Sequence, residues 1–421
     1  MSVSFADVVF DWITFDNSDP AEKLVLDLID TKWMQRLRDI NQTANTRLVY
    51  MHSEHTRFGH SVGVAYLAFL VMKKLEAFRP EEVEKYRAAV ACAALMHDIG
   101  HLAPGSHTAF KSWFPDKKDN HEALGKMIIE NDPEIQGLLN SHSTELTEQI
   151  SAILSESKDI PAWTWEIISG GGWNVDRGHW CIADSVLAGV SYGKYNIPAI
   201  IDSLRIADDT RLALRENRLD AMMHFVVSRQ AMYSQLYHHR VLLSADALTA
   251  SVIKRVRDLG SKLSFADEAM QKMLKTSNPD QLELETVYAT NESWFKYHLS
   301  HWINDGDTIL SDLASRLAYR KLFKTVRVSE DDEPDKLWKD SQEAVRQAGF
   351  DPEYYLGKAI TSDIYQGDSK HSVNVLMENG QIKELSEADP VFKSLVKASQ
   401  DSIRVWYVMP AEAKSLLGRT R

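Results

Sequence analysis

A helical segment that ends in a histidine and an aspartate most constrains the fold of this chain. Pro80 suits the first position of a helix, where its missing N–H costs nothing, and acidic residues follow in the first turn. Apolar residues then recur at helical spacing up to His97 and Asp98, and Gly100 ends the pattern. Burying an unpaired carboxylate at such a helix end is costly, and a divalent cation removes that cost. The segment therefore predicts a helical core with a cation site at its end.

Helical patterns dominate the first 300 residues. The chain of 421 residues has only 19 glycines and 12 prolines, which disfavours a turn-rich all-β fold. Besides the segment from Pro80, amphipathic periodicity predicts helices over residues 21–41, 57–75, 184–192, 198–214 and 219–240.

The pattern changes after an acidic run at residues 329–335, which predicts a solvated loop and a lobe boundary nearby. Strand-like alternation follows at residues 372–377 and 381–385 around the hairpin signal Asn379-Gly380, and again at residues 403–408.

The predicted fold class is mainly α. We expect a helical core over residues 1–300 and a smaller α+β lobe over residues 301–421 that serves assembly or regulation.

Charge and cysteine content exclude several classes of protein. The 60 acidic and 48 basic residues give a net charge of −12, which disfavours a non-specific nucleic-acid coat. Cys92 and Cys181 are the only cysteines, so a disulfide scaffold and a thiolate zinc site are excluded, and a cytoplasmic location is expected. The longest apolar stretch, residues 62–72, is too short to span a bilayer, and residues 1–12 lack a signal-peptide pattern. We therefore expect no membrane partner.

Four residues are candidate ligands of a cation: His60, His97, Asp98 and Asp176. Two imidazoles and two carboxylates suit Mn, Fe, Ni, Zn or Mg rather than a metal that prefers thiolates. Taken singly, each has an ordinary interpretation, since a histidine on an apolar helix face is often a core residue and an aspartate is often a cap.

Three more histidines, His101, His107 and His121, follow the His97-Asp98 pair. Histidine titrates near neutrality, so such groups suit the handling of phosphate oxygens and of a leaving-group proton. The alternative is that they are exposed loop residues.

These residues lie in segments that resemble a known family. Residues 54–64, with His60, resemble its first motif; residues 97–101 resemble its His-Asp doublet; residues 174–177, Asn-Val-Asp-Arg, are similar to its last motif. The family is the HD-domain phosphohydrolase superfamily, and the closer match is its deoxynucleoside triphosphate triphosphohydrolase branch, which includes the SAM-and-HD-domain enzymes. The resemblance covers roughly residues 20–245 and continues weakly to residues 318–324.

The resemblance implies one divalent metal ion held by His60, His97, Asp98 and Asp176, with an additional Mg accompanying the triphosphate. It implies that His101, His107 and His121 surround the substrate phosphates, with His107 as the proton donor to the leaving oxygen.

The resemblance also implies how a nucleotide is held. The implied roles are Gln42 and Asp184 at the sugar 3′-hydroxyl, Arg57, Arg177 and Arg229 at the triphosphate, Tyr237 on the deoxyribose and Trp180 as a stacking residue. From spacing alone, Arg229, Tyr233 and Tyr237 share one helix face, although such a stripe is equally typical of core packing. Asp30, Gln35 and Arg38 match positions that bind a nucleotide effector in relatives; the alternative is a helix cap with an ion pair.

The chain departs from the family pattern at several positions. Phe110 stands where the family has a carboxylate that orients a histidine, and Asp116, Asp119 or Glu122 are candidate substitutes. The triplet Gly178-His179-Trp180 replaces the usual Met-Asp-Tyr, and the early Asp-Pro-Val-His-Gly motif reads Asp-Val-Val-Phe-Asp at residues 7–11. We expect these changes to affect substrate preference more than metal binding.

The sequence therefore predicts a metal-dependent hydrolase that converts deoxynucleoside triphosphates to deoxynucleoside and inorganic triphosphate. The resemblance implies a homo-oligomer, a tetramer or a hexamer. Two alternatives stay open: an HD phosphodiesterase or nucleotidase acting on other nucleotides or single-stranded nucleic acid, and a non-catalytic nucleotide sensor. Both pool balance and antiviral defence are compatible with the predicted reaction.

Overall fold

Helices form most of the framework, which confirms the predicted fold class. The computed structural model describes residues 2–105, 107–117, 121–361, 373–400 and 403–418. The helices are α1 Pro20–Ile29, α2 Lys32–Arg36, α3 Arg57–Glu76, α4 Pro80–Met96, α5 His107–Trp113, α6 His121–Asn131, α7 Pro133–His142, α8 Leu146–Leu154, α9 Ala162–Glu166, α10 Val175–Leu187, α11 Ile197–Ser203, α12 Leu219–Met232, α13 Arg240–Leu259, α14 Glu268–Lys275, α15 Leu284–Ala289, α16 Glu292–Trp302, α17 Thr308–Ala318, α18 Pro334–Gln347, α19 Pro352–Tyr355, α20 Leu385–Ala388, α21 Pro390–Gln400 and α22 Ala411–Leu416.

The strands are short and form small sheets around the helices. They are β1 Ser2–Asp7, β2 Asp11–Asp16, β3 Leu204–Ile206, β4 Leu212–Arg215, β5 Lys324–Val328, β6 Gly357–Thr361, β7 Asn374–Leu376, β8 Ile382–Glu384 and β9 Arg404–Met409. Strands β1 and β2 form an antiparallel hairpin, the order β3-β4-β7-β8 forms a second sheet, and β5-β9-β6 forms a third.

Helices α3 and α4 pack against each other at the centre of the core. Val64, Leu67 and Val71 of α3 are fully buried, and the small residues from Ala89 to Ala94 of α4 are also fully buried. Small side chains let the two backbones approach closely, and a helix that is apolar on nearly all sides belongs inside a core. One predicted metal ligand, His60, lies in α3, and two more, His97 and Asp98, directly follow α4.

Several predicted helices have different bounds in the structure. The segment 21–41 breaks after α1, because Thr31 becomes the N-cap of α2. The segment 184–192 belongs to α10, which begins earlier and ends at Leu187. The helix predicted over residues 198–214 was wrong beyond Ser203, since β3 and β4 follow. The helix predicted over residues 219–240 corresponds to α12, which ends at Met232, and a turn of π-helix follows it at Tyr233–Tyr237.

The strand predictions near the C-terminal end are confirmed. Strands β7 and β8 form the antiparallel hairpin around Asn379-Gly380, where Gly380 has a φ of 81°. Strand β9, Arg404–Met409, overlaps the strand predicted at residues 403–408 and is shifted by one residue.

The proposed division near residue 300 stays a prediction. Helix α16 runs through that position, and β7 pairs in parallel with β4. Among the described residues, no helix is both long enough and apolar enough to cross a bilayer.

Candidate metal centre and active-site cavity

Three helix ends bring the four candidate metal ligands together. His60 lies in the first turn of α3, and His97 and Asp98 follow the last residue of α4. Asp176 is in the first turn of α10, whose start is fixed by Asn174, because the Asn174 side chain accepts a hydrogen bond from the backbone of the third helical residue. Each ligand therefore stands where a rigid helix begins or ends.

Each of the two carboxylates lies near both imidazoles. Asp176 Oδ1 lies 3.0 Å from His60 Nε2 and 3.6 Å from His97 Nε2. The Asp98 carboxylate lies 3.7 Å from His60 Nε2 and 3.6 Å from His97 Nε2. The Nδ1 atom of His97 is 2.9 Å from the carbonyl of Ala94, so it carries the proton and leaves a lone pair on Nε2.

The chemistry of these donors fits a divalent cation. The Nε2 atoms of His60 and His97 are buried and make no hydrogen bond of acceptable geometry with the described residues. Buried polar atoms in this state are costly unless another group satisfies them, and a metal ion does so for neutral imidazole.

The site also favours positive charge electrostatically. Burial raises the pKa of Asp98, but Arg57, whose Nη1 lies 2.5 Å from Asp98 Oδ2, and nearby imidazoles hold that pKa well below its usual range. Burial likewise opposes ionisation of Asp176, and the adjacent imidazoles of His60 and His97 outweigh it, so the pKa of Asp176 is also lowered. Burial lowers the pKa of His97, and the two carboxylates reverse this and raise it to about 9. The carboxylates therefore stay ionised and attract a proton or a metal ion.

Among the described residues, two neighbouring groups of side chains have the spacing of metal ligands. His60, His97 and Asp176 form one group; Asp98, His101 and His121 form the other. His101 Nε2 lies 3.2 Å from Asp98 Oδ1, and the rings of His101 and His121 stack with centroids 3.9 Å apart. Asp98 thus lies between the two groups.

A cavity of about 690 Å³ opens directly onto this centre. Its wall contains His97, Asp98, Asp176 and His121, and also seven other residues to which the family resemblance gave a role in holding the nucleotide: Gln42, Arg57, Arg177, Trp180, Asp184, Arg229 and Tyr237. His101 is buried beside the centre. His107 begins α5, but its side chain lies outside the described residues.

The side of the cavity formed by α10 and the π-turn is built around Asp184. Its carboxylate lies 2.8 Å from His55 Nε2 and accepts a short hydrogen bond from the hydroxyl of Tyr237. Burial and the adjacent carboxylate raise the pKa of Tyr237, so its hydroxyl stays a donor. Trp180 meets Tyr237 edge to face, with centroids 5.6 Å apart. The result is a mixed polar and aromatic wall, which is typical of small-molecule binding sites.

The three arginines have separate surroundings. Arg57 forms the ion pair with Asp98, Arg177 donates to the carbonyl of Gly171, and the Arg229 guanidinium lies 5.6 Å from the ring centroid of Tyr233. All three line the cavity, so each reaches it from a fixed position.

The candidate effector residues lie outside this cavity. Arg38 Nε donates to Gln35 Oε1 at 2.8 Å, and its guanidinium lies 3.6 Å from the ring centroid of Phe58. Asp30 is exposed at the end of α1. The effector role of these residues stays a prediction.

The position of the missing family carboxylate is apolar. Phe110 is buried, with its ring centroid 5.4 Å from that of Phe114. Of the three candidate substitutes, Glu122 lines the cavity, Asp116 is exposed, and Asp119 lies outside the described residues.

Sequence reasoning missed two groups near the centre. Asp246 of α13 lines the cavity and accepts a 2.9 Å hydrogen bond from Asn45. His179 of α10 is buried with its Nδ1 3.1 Å from His60 Nδ1. The sequence showed the departure at Gly178-His179-Trp180, but it did not show that His179 contacts His60. Asp246 gave no signal, because a single aspartate on an amphipathic helix looks like a solvated one.

Comparisons with known proteins agree with this geometry. Residues 57–175 match the family model of the HD domain. The uncharacterized protein YwfO of Bacillus subtilis is 29% identical over 399 residues, covering 92% of this chain and 88% of that protein. The human deoxynucleoside triphosphate triphosphohydrolase SAMHD1 is 25% identical over 351 residues, covering 72% of this chain and 52% of that protein, so this chain spans about half of its length. The crystal structure of a phosphohydrolase from Bacteroides thetaiotaomicron shares the fold, with a TM-score of 0.81, 24% identity, and coverage of 97% of this chain and 100% of that chain.

Proposed function

We propose that this chain, whose residues 57–175 match the family model of the HD domain, hydrolyses deoxynucleoside triphosphates to deoxynucleoside and inorganic triphosphate. The observation that carries this proposal is the composition of one cavity. It combines the candidate metal centre, three arginines and the Asp184–Tyr237 wall, which together suit a phosphate chain and a sugar.

The roles of the centre follow from its donors. His60, His97, Asp98 and Asp176 would hold a divalent cation, drawn from Mn, Fe, Mg, Ni and Zn. When bound, that cation supplies Lewis-acid polarisation of the phosphoryl group under attack.

The remaining residues bind and orient the substrate. Arg177 and Arg229 offset the charge that builds on phosphate oxygens, and His121 donates a hydrogen bond beside them. Water adds at the α-phosphorus and the bond to the 5′-oxygen breaks; by the family resemblance, His107 gives that oxygen its proton. Asp184 accepts from the sugar 3′-hydroxyl, and Tyr237 packs against the ring where a 2′-hydroxyl would collide.

Product analysis tests the proposal. The purified protein is incubated with Mn²⁺ or Mg²⁺ and, separately, each dNTP, each NTP, a cyclic nucleotide and single-stranded DNA, and the products are separated by chromatography. We expect deoxynucleoside and triphosphate from dNTPs, and none of either from the His97→Ala/Asp98→Ala double variant. His142→Ala, an exposed histidine at the end of α7, is the matched control.

Other results would replace the proposal with one of its rivals. Cleavage of cyclic nucleotides or single-stranded DNA without attack on dNTPs would favour a phosphodiesterase. Binding of dNTPs without any turnover would favour a sensor, and the apolar surroundings of Phe110 are the observation that supports this second candidate.

We further propose that the chain assembles into a tetramer or hexamer, with residues 301–421 serving assembly or regulation and a nucleotide effector bound near Asp30, Gln35 and Arg38. Light scattering measures the mass of the full chain. A monomer whose activity is unchanged by added nucleotides would contradict both parts.

A further inference from the structure

A row of three side chains connects the N-terminal hairpin with a candidate metal ligand. His60 Nδ1 lies 3.1 Å from Nδ1 of His179, and Nε2 of His179 lies 3.7 Å from Oδ2 of Asp7. The three residues belong to α3, α10 and β1 respectively. His179 is 2% exposed, so the row runs through the interior.

The position of His179 depends on a glycine in α3. A Cβ atom on Gly63 would lie 2.0 Å from Nε2 of His179, which is far inside van der Waals contact. On another side, the ring of Phe10 lies 6.1 Å from the His179 ring, centroid to centroid. The imidazole is therefore held between the backbone of α3 and the turn of the hairpin.

Asp7 is also fixed. Its Oδ1 accepts hydrogen bonds from the backbone N–H groups of Val9 and Phe10, at 2.7 and 3.0 Å. These bonds close the turn between β1 and β2 and leave Oδ2 facing His179. At 3.7 Å, Oδ2 acts on the imidazole N–H electrostatically.

In the hydrogen bond between the two Nδ1 atoms, one nitrogen carries the proton and the other accepts it. If His60 offers the lone pair of Nε2 to a cation, its proton is on Nδ1 and is donated to His179. His179 then accepts at Nδ1 and carries its own proton on Nε2, which faces the Asp7 carboxylate. Each protonation choice in the row thus supports the next.

We propose that Asp7 and His179 are positioning residues that fix the tautomer and ring orientation of His60, which makes the N-terminal hairpin part of the metal centre. Groups that orient a ligating histidine typically change metal affinity by about 10–100-fold when they are removed. The proposal rests on the cation site of the proposed function and is independent of the substrate.

The test measures Mn²⁺ affinity by calorimetry and by the loss of the free-ion EPR signal. In Asp7→Asn, the side-chain oxygen still accepts from the turn, whereas the amide N–H group now faces the N–H group of His179 and opposes the required tautomer. We expect Mn²⁺ to bind about 10–100-fold more weakly. Asp11→Asn is the matched control, since Asp11 is exposed and is the cross-strand partner of Asp7.

A second pair of variants separates positioning from folding. His179→Asn places an oxygen near the former Nδ1, so it accepts from His60 and should keep most of the Mn²⁺ affinity. His179→Leu fills similar volume without an acceptor and should lose it. Unchanged affinity in both Asp7→Asn and His179→Leu, or equal losses in the Asp7 and Asp11 variants, would overturn the proposal. A protein that binds Mn²⁺ with this pattern but cleaves no dNTP would contradict the proposed function alone.

Discussion

Replacement of Asp246 by asparagine should stabilise the protein in a pH-dependent way. The carboxyl group lies in the cavity wall, and its described hydrogen bond comes from Asn45 at 2.9 Å. Burial raises the pKa of Asp246 from 3.8 to about 6, and the bond from Asn45 offsets this only in part. The charged form is therefore unfavourable in the folded state.

Proton linkage gives the direction in which the free energy of unfolding changes with pH. The folded state holds the proton more tightly than the unfolded state, so wild-type stability falls as the pH rises from about 4 to about 6 and then levels off. The full shift of the Asp246 pKa corresponds to about 3 kcal/mol of stability. Because the side chain is partly exposed to water in the cavity, this value is an upper bound, and we expect a difference of about 1–3 kcal/mol. The amide introduced by Asp246→Asn keeps an acceptor for Asn45 and carries no charge, so the variant avoids this loss.

Urea unfolding at pH 5, 6, 7 and 8 measures the effect as the difference in free energy of unfolding between variant and wild type. About half of the full difference should be present at pH 5, and all of it at pH 7 and 8. The control is Asp340→Asn, an exposed aspartate inside helix α18, for which no pH-dependent difference is expected. A variant that is less stable than wild type at pH 8, or whose advantage does not grow between pH 5 and 7, would refute the reasoning.

Three further changes have defined outcomes. Gly63→Ala should lower the free energy of unfolding by at least about 1–3 kcal/mol, because the new methyl group overlaps a buried imidazole. Gly59→Ala, in the same helix but facing open space, should gain about 1 kcal/mol, and thermal unfolding that ranks the two variants the other way would contradict the packing argument. Tyr237→Phe should raise the KM for dNTPs about tenfold, because it removes the hydrogen bond to the Asp184 carboxylate. Tyr233→Phe should change the KM less than about twofold. Equal effects of the two substitutions in steady-state kinetics would argue against a role of Tyr237 in substrate binding. Mn²⁺ at 100 times its Kd should raise the free energy of unfolding by about 2.7 kcal/mol, and EDTA should reverse this. The same stabilisation in the His97→Ala/Asp98→Ala double variant would count against the proposed metal centre.

The sequence predicted best what is encoded locally. Helix α4 has a proline at its start, one apolar pattern and a His-Asp pair at its end, so its bounds and its chemistry could both be read from adjacent residues. The hairpin of β7 and β8 was equally accessible, because Asn379-Gly380 is a turn with its own backbone requirement. Elements that depend on distant partners were harder to predict. Residues 204–214 contain apolar residues compatible with a helix, but this segment forms β3 and β4, because β4 pairs with β3 and with β7.

The same distinction applies to the candidate site. The family resemblance supplied residues that line one cavity, yet the contacts between His60 and His179 and between Asn45 and Asp246 join positions more than 100 residues apart. No periodicity or spacing along the chain indicates such pairs. They arise from the packing of α3 against α10 and of α13 against the turn at residues 44–48, which is a property of the tertiary fold.

The charges around the cavity determine what kind of anion it can bind. Among the described residues of its wall, three guanidinium groups face six carboxyl groups: Asp98, Glu122, Glu156, Asp176, Asp184 and Asp246. The arginines alone therefore do not make this cavity attractive to a triphosphate. Cations bound at Asp98 and Asp176 are needed to reverse the local sign, and protonation of Asp246 would help near its raised pKa of about 6. A nucleotide that enters together with its own divalent ion meets this requirement, whereas the free polyanion does not. If the proposed nucleotide binds here, the acidic wall should make its affinity, as well as its rate of hydrolysis, depend on the divalent ion.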